Sequence, residues 1–340
     1  MGALVSAPFD HGRGTISLSG RYSYTAALVS LFNSDIDVSY SDAQLRVEHP
    51  LGAGRLVLLA LGSTDALDSK SPTNARDHVH MRFLRAAARY TRPVGPGWLG
   101  LSIGGGLDSS CAPFDENMLS NALGVTSRST QDRLWYRVGV GPAVDIEVGV
   151  DGEAARYQPT LEQVNAALGD LARPRTALLG APYAALTLRL ARLTLVPAYR
   201  QDVYDEGGAT RSSPGPRLAA TLVLRRGLSL IGAVGHYSQL PSLPVQVSGF
   251  EKFGLRQYGL QTSWQSSAGL DAELPLGVEL VATTYVQRSV LSDVRDPNSG
   301  DYLLDDYLVR RQALSYGEEL LLRRPFGARL YGWGVVYALA

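Results

Sequence analysis

Polar and apolar residues alternate along most of this chain with a period of two. From Thr15 to Tyr24, Ile16, Leu18, Gly20, Tyr22 and Tyr24 fall on one side, and Thr15, Ser17, Ser19, Arg21 and Ser23 on the other. Successive side chains of an extended strand point to opposite faces, so this segment predicts a strand with one apolar and one polar surface. The pattern returns with Ala43, Leu45 and Val47 against Asp42, Gln44, Arg46 and Glu48, and with Leu99, Leu101, Ile103 and Leu107 against Ser102 and Asp108. It returns again with Val144, Ile146, Val148 and Val150 against Asp145, Glu147 and Asp151, and with Ala184, Leu186, Leu188 and Leu190 against Thr187 and Arg189. Segment 54–64 is apolar on both faces, and 277–291 keeps phase only in part. The alternation predicts about fifteen strands. They lie near 14–24, 36–48, 54–65, 78–91, 97–108, 129–140, 143–156, 178–190, 193–204, 215–225, 228–239, 256–273, 277–291, 306–323 and 328–340. Many are longer than the about five or six residues usual in soluble sheets, and a tilted strand needs about 9–11 to cross a bilayer.

The connections alternate in length. Short links that carry Gly and Pro, as tight turns do, fall at 49–53, 92–96, 141–142, 191–192, 226–227, 274–276 and 324–327. Between them lie long links at 66–77, 109–128, 157–177, 205–214, 240–255 and 292–305, rich in Ser, Asp, Asn, Pro and Gly. Outer-membrane barrels have this asymmetry, with short periplasmic turns and long outside loops. The expected fold class is therefore all-β, an antiparallel transmembrane β-barrel. One loop has helical content. Thr160 can cap and Gln163 can answer it in a capping box, after which Leu161, Val164, Leu168 and Leu171 share a helical face and Gly169 offers a stop. Such a helix would serve as a lid over the barrel mouth or, more simply, pack the loop onto its neighbours.

With long loops outside, strand 14–24 runs outward and strand 328–340 does too. Gly2 to Pro8 reads as the end of an inward strand that turns through Phe9–Arg13. Single-chain bacterial barrels close with an even number of strands, and an open edge in lipid leaves backbone groups unpaired. The expectation is one partial barrel domain over 1–340, of about 15–16 strands.

Composition changes the picture little. The 340 residues hold 32 basic and 32 acidic side chains, and zero net charge argues against nucleic acid as a partner. A lone cysteine, Cys111, excludes an internal disulfide framework and a cysteine-rich metal cage. No apolar run is long enough for a transmembrane helix, and Met1–Phe9 lacks the charged region and apolar length of a signal peptide. The hydrophobic fraction is only 45% because half of each strand is polar.

Short motifs in a fixed order carry a resemblance. They are Leu195–Val196–Pro197–Ala198–Tyr199–Arg200–Gln201–Asp202, Ser213–Pro214–Gly215–Pro216–Arg217–Leu218, and His236–Tyr237–Ser238–Gln239–Leu240–Pro241. Later come Tyr316–Gly317–Glu318–Glu319–Leu320 and Leu330–Tyr331–Gly332–Trp333, and earlier Gly12–Arg13–Gly14 and Gly20–Arg21–Tyr22–Ser23–Tyr24. In this order the chain resembles the barrel domain of TonB-dependent outer-membrane receptors, with Pro-Ala at 197–198 where that family has Pro-Gly. The resemblance implies a barrel of 22 strands around an N-terminal plug, of which this chain would supply the end of the second strand through about the seventeenth. It implies no counterpart here of the plug, the TonB box or the C-terminal aromatic insertion signal. It implies an outer-membrane location, contact with outer-membrane lipid, and, in the full-length parent, a TonB complex and a scarce small-molecule ligand of the siderophore, cobalamin or glycan class. A passive porin and a β-barrel adhesin or scaffold without transport are the alternatives.

No catalytic constellation stands out. His78–Val79–His80 puts two imidazoles on one strand face with no carboxylate or Cys at metal-ligand spacing, which favours a structural role. Gly104–Gly105–Gly106 lies inside a strand with no Lys-Ser/Thr after it, so it relieves crowding and does not cradle phosphate. No enzyme activity, cofactor or metal site is expected. The polar phase places Arg21, Asp42, Gln44, Arg46, Glu48, Arg85, Arg89, Asp145, Glu147, Arg189 and Arg200 toward the lumen. There they form mutual ion pairs and solvate the interior, or meet a plug or an anionic ligand. Tyr22, Tyr24, Tyr90, Tyr199, Trp333 and Tyr337 suit the aromatic girdles at the membrane interfaces.

Overall fold

The computed structural model describes residues 2–23, 36–70, 76–114, 121–161, 173–241, 254–294, 308–324 and 332–339. The first half of the chain forms β1 (Gly2–Phe9), β2 (Gly14–Tyr22), β3 (Ile36–Leu51), β4 (Gly54–Lys70), β5 (Arg76–Val94), β6 (Gly97–Phe114), β7 (Asn121–Val140) and β8 (Val144–Leu161). It continues with β9 (Arg175–Leu190), β10 (Leu193–Glu206), β11 (Ala209–Arg225), β12 (Leu228–Gln239), α1 (Leu255–Tyr258), β13 (Gln261–Leu274), β14 (Val278–Val294), β15 (Leu308–Arg324) and β16 (Gly332–Leu339). These strands make one 16-stranded antiparallel sheet in strict sequence order, with β1 and β16 at its two edges and not paired to each other. Every connection joins nearest neighbours.

The strands run past the limits that alternation predicts. β6 and β7 stay paired as far as Phe114 and Asn121, well into the long link expected at 109–128. Residues 109–114 and 121–126 do not alternate regularly between polar and apolar, so the period of two fades from the sequence while the backbone ladder continues. The long link expected at 205–214 is a two-residue turn, Gly207–Gly208, closed by the pair Glu206 and Ala209. Both glycines have positive φ, 57° and 80°, as the tight hairpin turn that follows strand twist requires. The helix start expected at Thr160 is also corrected. Thr160 is extended in β8 opposite Gly124, because the β7 ladder supplies partners for its backbone; Gln163 to Leu171 lie outside the described residues. Residues 256–258, expected as the start of a strand, instead form with Leu255 the single turn of α1 between Gly254 and Gly259, both at positive φ.

The short connections repeat one lock. Tyr90 of β5 lays its ring where a Cβ at Gly54 would stand, 2.7 Å from that point, and its hydroxyl donates to the Leu51 carbonyl at 3.0 Å. Tyr136 of β7 does the same to Gly97 and donates to Val94 O at 3.1 Å. In each case an aromatic ring covers the first residue of a strand and its hydroxyl satisfies the last carbonyl before the turn. The β1–β2 turn is held differently. Asp10 accepts from Arg13 at 2.7 Å and bonds His49 of β3 at 2.7 Å, while Phe9 stacks on the His49 ring. Arg13 first, then His49, holds the Asp10 carboxyl below its usual range.

The two faces of the sheet differ in chemistry. One carries exposed apolar side chains from every strand, among them Leu18, Leu45, Leu58, Leu84, Ile103, Val148, Leu218 and Leu322. Ile103 and Val148 are 51% and 46% exposed, too apolar a surface to leave in water. Among the described residues no helix is long and apolar enough to cross a membrane. The other face is polar and concave, and its cavities lie between β5 and β10.

Candidate functional site

One ladder row fixes which residues share the concave face. Thr15 pairs with Glu48, Glu48 with Val57, Val57 with Arg89, Arg89 with Ser102, Ser102 with Arg133, Arg133 with Asp151, and Asp151 with Ala181. Residues an even number of positions from these on the same strand point the same way. The row therefore brings Arg21, Asp42, Gln44, Arg46, Glu48, Arg85, Arg89, Asp145, Glu147 and Arg189 to one face. Arg200 joins them through its pairing with Tyr183. Val57, Leu59 and Leu61 share that face too, which is why 54–64 reads as apolar on both sides.

Most of these charges neutralise one another across strands. Arg21 bonds Asp42 at 2.6 Å and also reaches Tyr40. Glu48 takes both Arg46 and Arg55, and Arg189 takes Asp145. Arg85 passes over Gly106, where a Cβ would come within 2.8 Å of its guanidinium, and reaches Asp108 at 2.6 Å. A side chain at Gly106 would crowd this passage and Ser129, whereas Gly104 and Gly105 meet only ordinary contacts. Asp108 also accepts from Ser127 at 2.9 Å. Glu147 holds Arg137 at 2.8 Å and the Tyr183 hydroxyl at 3.0 Å.

The densest network centres on Asp151. Arg133 grips both its oxygens with bonds of 2.6 and 2.8 Å, and Arg200 shares Oδ2 with Arg133 while donating to Asp202 at 2.6 Å. The Asp151 and Asp202 side chains are only 14% and 5% exposed, so their charge depends on these guanidiniums. Beside the network lies a cavity of about 440 Å³ lined by Arg89, Gln131, Arg133, Asp151, Glu153 and Arg200. Arg89 stands apart, an exposed guanidinium with no hydrogen-bond or ion-pair partner among the described residues. Arg133 and Arg137 belong to these ion pairs although the sequence reading did not name them. Their signal is the alternation with Leu134, Tyr136 and Val138, weakened by Thr130 and Asp132 on the apolar phase.

The aromatic set divides. Tyr22, Tyr90 and Tyr199 lie on the outer, apolar phase; Tyr22 is 59% exposed, and the Tyr199 hydroxyl donates to Gln201. Tyr24 lies outside the described residues. Trp333 is corrected. It pairs with Arg323, and the register from Arg217 through Gly235, Gln265, Gln287 and Ser315 puts this pair on the polar phase; the side chain of Tyr337 lies outside the described residues. β16 is apolar or small at every position, so its alternation cannot reveal its phase. Of the histidines, His80 accepts from Arg82 Nε at 2.6 Å, and no group of three or more His, Cys, Asp or Glu able to hold a metal occurs among the described residues.

Solved structures match this sheet over nearly its whole extent. The pyoverdine outer-membrane receptor FpvA of Pseudomonas aeruginosa PAO1, bound to pyoverdine, superposes with a TM-score of 0.74 at 11% identity, covering 99% of this chain and 58% of its own. The siderophore receptor PirA of Acinetobacter baumannii matches with a TM-score of 0.71 at 15% identity, covering 96% of this chain and 57% of its own. The copper transporter OprC matches with a TM-score of 0.68 at 13% identity, covering 96% and 56%. This chain thus spans between 56% and 58% of the length of these three. No family model and no curated protein matches the sequence. The chain has the fold of the β-barrel domain of TonB-dependent outer-membrane receptors.

Proposed function

We propose that this chain is the barrel portion of a TonB-dependent outer-membrane receptor that takes up a scarce small ligand, and that it is not an enzyme. The observation that carries the reading is the 16-strand meander, apolar outside and ion-paired inside, matching receptor barrels over 96–99% of its length. Its two unpaired edge strands support a parent with further strands, since open edges in lipid cost several kcal/mol per unpaired group. A plug and the energising complex would belong to that parent. The neighbours' names speak of siderophores and of copper, so the ligand class is left to experiment among metal chelates, cobalamin and glycans. On this reading the inner face serves the ligand path, and Arg89, without a hydrogen-bond or ion-pair partner among the described residues, is a cation available to it.

The test is uptake. Cells lacking the protein should lose accumulation of one labelled ligand from that set, and so should cells treated with a protonophore. Accumulation of the same ligand that persists in cells treated with a protonophore would overturn the receptor reading in favour of a passive pore.

A further inference from the structure

Asp132 and Arg288 interrupt the apolar band of the outer face in two distant parts of the sheet. Asp132 of β7 stands between Ile103 of β6 and Gly152 of β8, and Gly180 of β9 lies beyond Gly152 in the same row. It is exposed and, among the described residues, makes no hydrogen bond or ion pair. Arg128, on the same face of β7, is four positions along the strand and faces Arg156. The glycines leave a hollow beside the carboxylate. A Cβ at Gly180 would meet nothing within 4 Å, and one at Gly152 only Asp132, at 4.0 Å. Packing within the sheet does not require glycine there, and a strand glycine with open space above it marks a place where another molecule approaches closely. Arg288 of β14 lies between Trp264 of β13 and Leu314 of β15. It donates to Gln312 at 3.0 Å and has no carboxylate partner among the described residues. Glu318, on the same face, is four positions along β15 from Leu314. Here the neighbours are large: Trp264 and Leu314 are 53% and 62% exposed, so they project where the glycines recede. Asp132 lies eight residues from the turn end of β7 at Val140, and Arg288 ten from that of β14 at Val278, so the two charges sit at comparable depth.

We propose that copies of this chain associate side by side in the membrane, the ridge of Arg288, Trp264 and Leu314 on one copy seated in the glycine hollow around Asp132 of the next. A charge facing lipid is costly and marks a functional contact whose partner carries the opposite sign. Each copy supplies both signs at matching depth, so one contact between copies neutralises an Asp132 and an Arg288 together. Small residues let backbones approach closely inside a bilayer, and the ridge fills the space they leave. Because the two patches differ, the contact is head-to-tail. It leaves a free patch at each end, so it extends into rings or rows and does not stop at a symmetric dimer. The proposal rests on the outer-membrane reading of the barrel.

The test uses cells carrying the protein in their outer membranes, in a C111S background that removes the one cysteine of this sequence. Differently tagged copies bearing D132C and R288C should be joined by a short bismaleimide, and two D132C copies should not. In native nanodiscs extracted with polymer, association between copies should weaken about tenfold or more in D132R and in R288D, and return in D132R/R288D. Four outcomes would each overturn the proposal: no D132C–R288C link in protein that has reached the membrane, a D132C–D132C link of equal yield, a link from D132C only to a different protein, or no recovery of association in the double exchange. If an exchange variant fails to insert, G180L decides, because a Cβ there meets nothing in its own sheet. It should weaken association by a similar factor, and unchanged association overturns the proposal. Absence of the protein from the outer-membrane fraction would instead sink the receptor reading itself.

Discussion

Asp151 is the inner-face carboxylate whose loss should matter most, because two guanidiniums depend on it. D151N leaves Arg133 and Arg200 competing for a neutral amide, and the expected loss is about 1–3 kcal/mol of unfolding stability. R89A, which removes a guanidinium with no partner, should stay within about 0.5 kcal/mol. Urea midpoints of the bilayer-inserted protein compare the two, and an R89A penalty as large as that of D151N would refute the network as drawn. At this scale the sequence is half legible. Arg200 shows its face through alternation, but its partner Asp151 lies 49 positions away and is found only through the register.

At the scale of elements, the turn locks carry specific costs. Y136F should lose one hydrogen bond to Val94 O, about 1 kcal/mol, while G97V should cost more because its side chain displaces the Tyr136 ring. Thermal melts of the two variants rank them, and a G97V protein as stable as wild type would show that the ring does not cover Gly97. The far end of the sheet is pH-sensitive. Glu206 closes β10, is buried beside Arg175, and accepts the Leu255 N–H of α1 at 2.6 Å. Burial pushes the Glu206 carboxyl up, outweighing the Leu255 bond and the Arg175 charge that oppose it. A raised carboxyl favours the folded form most below its unfolded pKa and loses that contribution as pH rises through its folded value. Exchange protection at Leu255 should therefore fall as pH rises from mildly acidic to neutral, and E206Q should flatten the change. A pH-independent wild type would contradict the buried carboxyl. This end was poorly legible in the sequence, because polar residues on both faces erase the period while the ladder persists.

For the whole molecule the decisive property is that neighbouring residues face different solvents. Ser102 and Ile103 are adjacent in β6, one on the charged row and the other on the apolar band. I103R should cost about 2–4 kcal/mol of insertion stability, while S102R should cost far less. Folding into vesicles, scored by heat-modifiable migration, separates the two, and equal penalties would contradict the assignment of faces.

The sequence by itself determined the strand count, the antiparallel hairpin plan and the chemistry of each face, because alternation is local and needs no knowledge of a strand's partner. The resemblance to receptor barrels was legible for the same reason, in short motifs held in order. Only the tertiary structure decided what depends on register. It closed Gly207–Gly208 as a tight turn, kept Thr160 extended in β8, set the phase of Trp333, and brought Arg128 against Arg156. Cross-strand pairing joins residues far apart in the chain, and a one-residue difference in register turns every side chain to the other face.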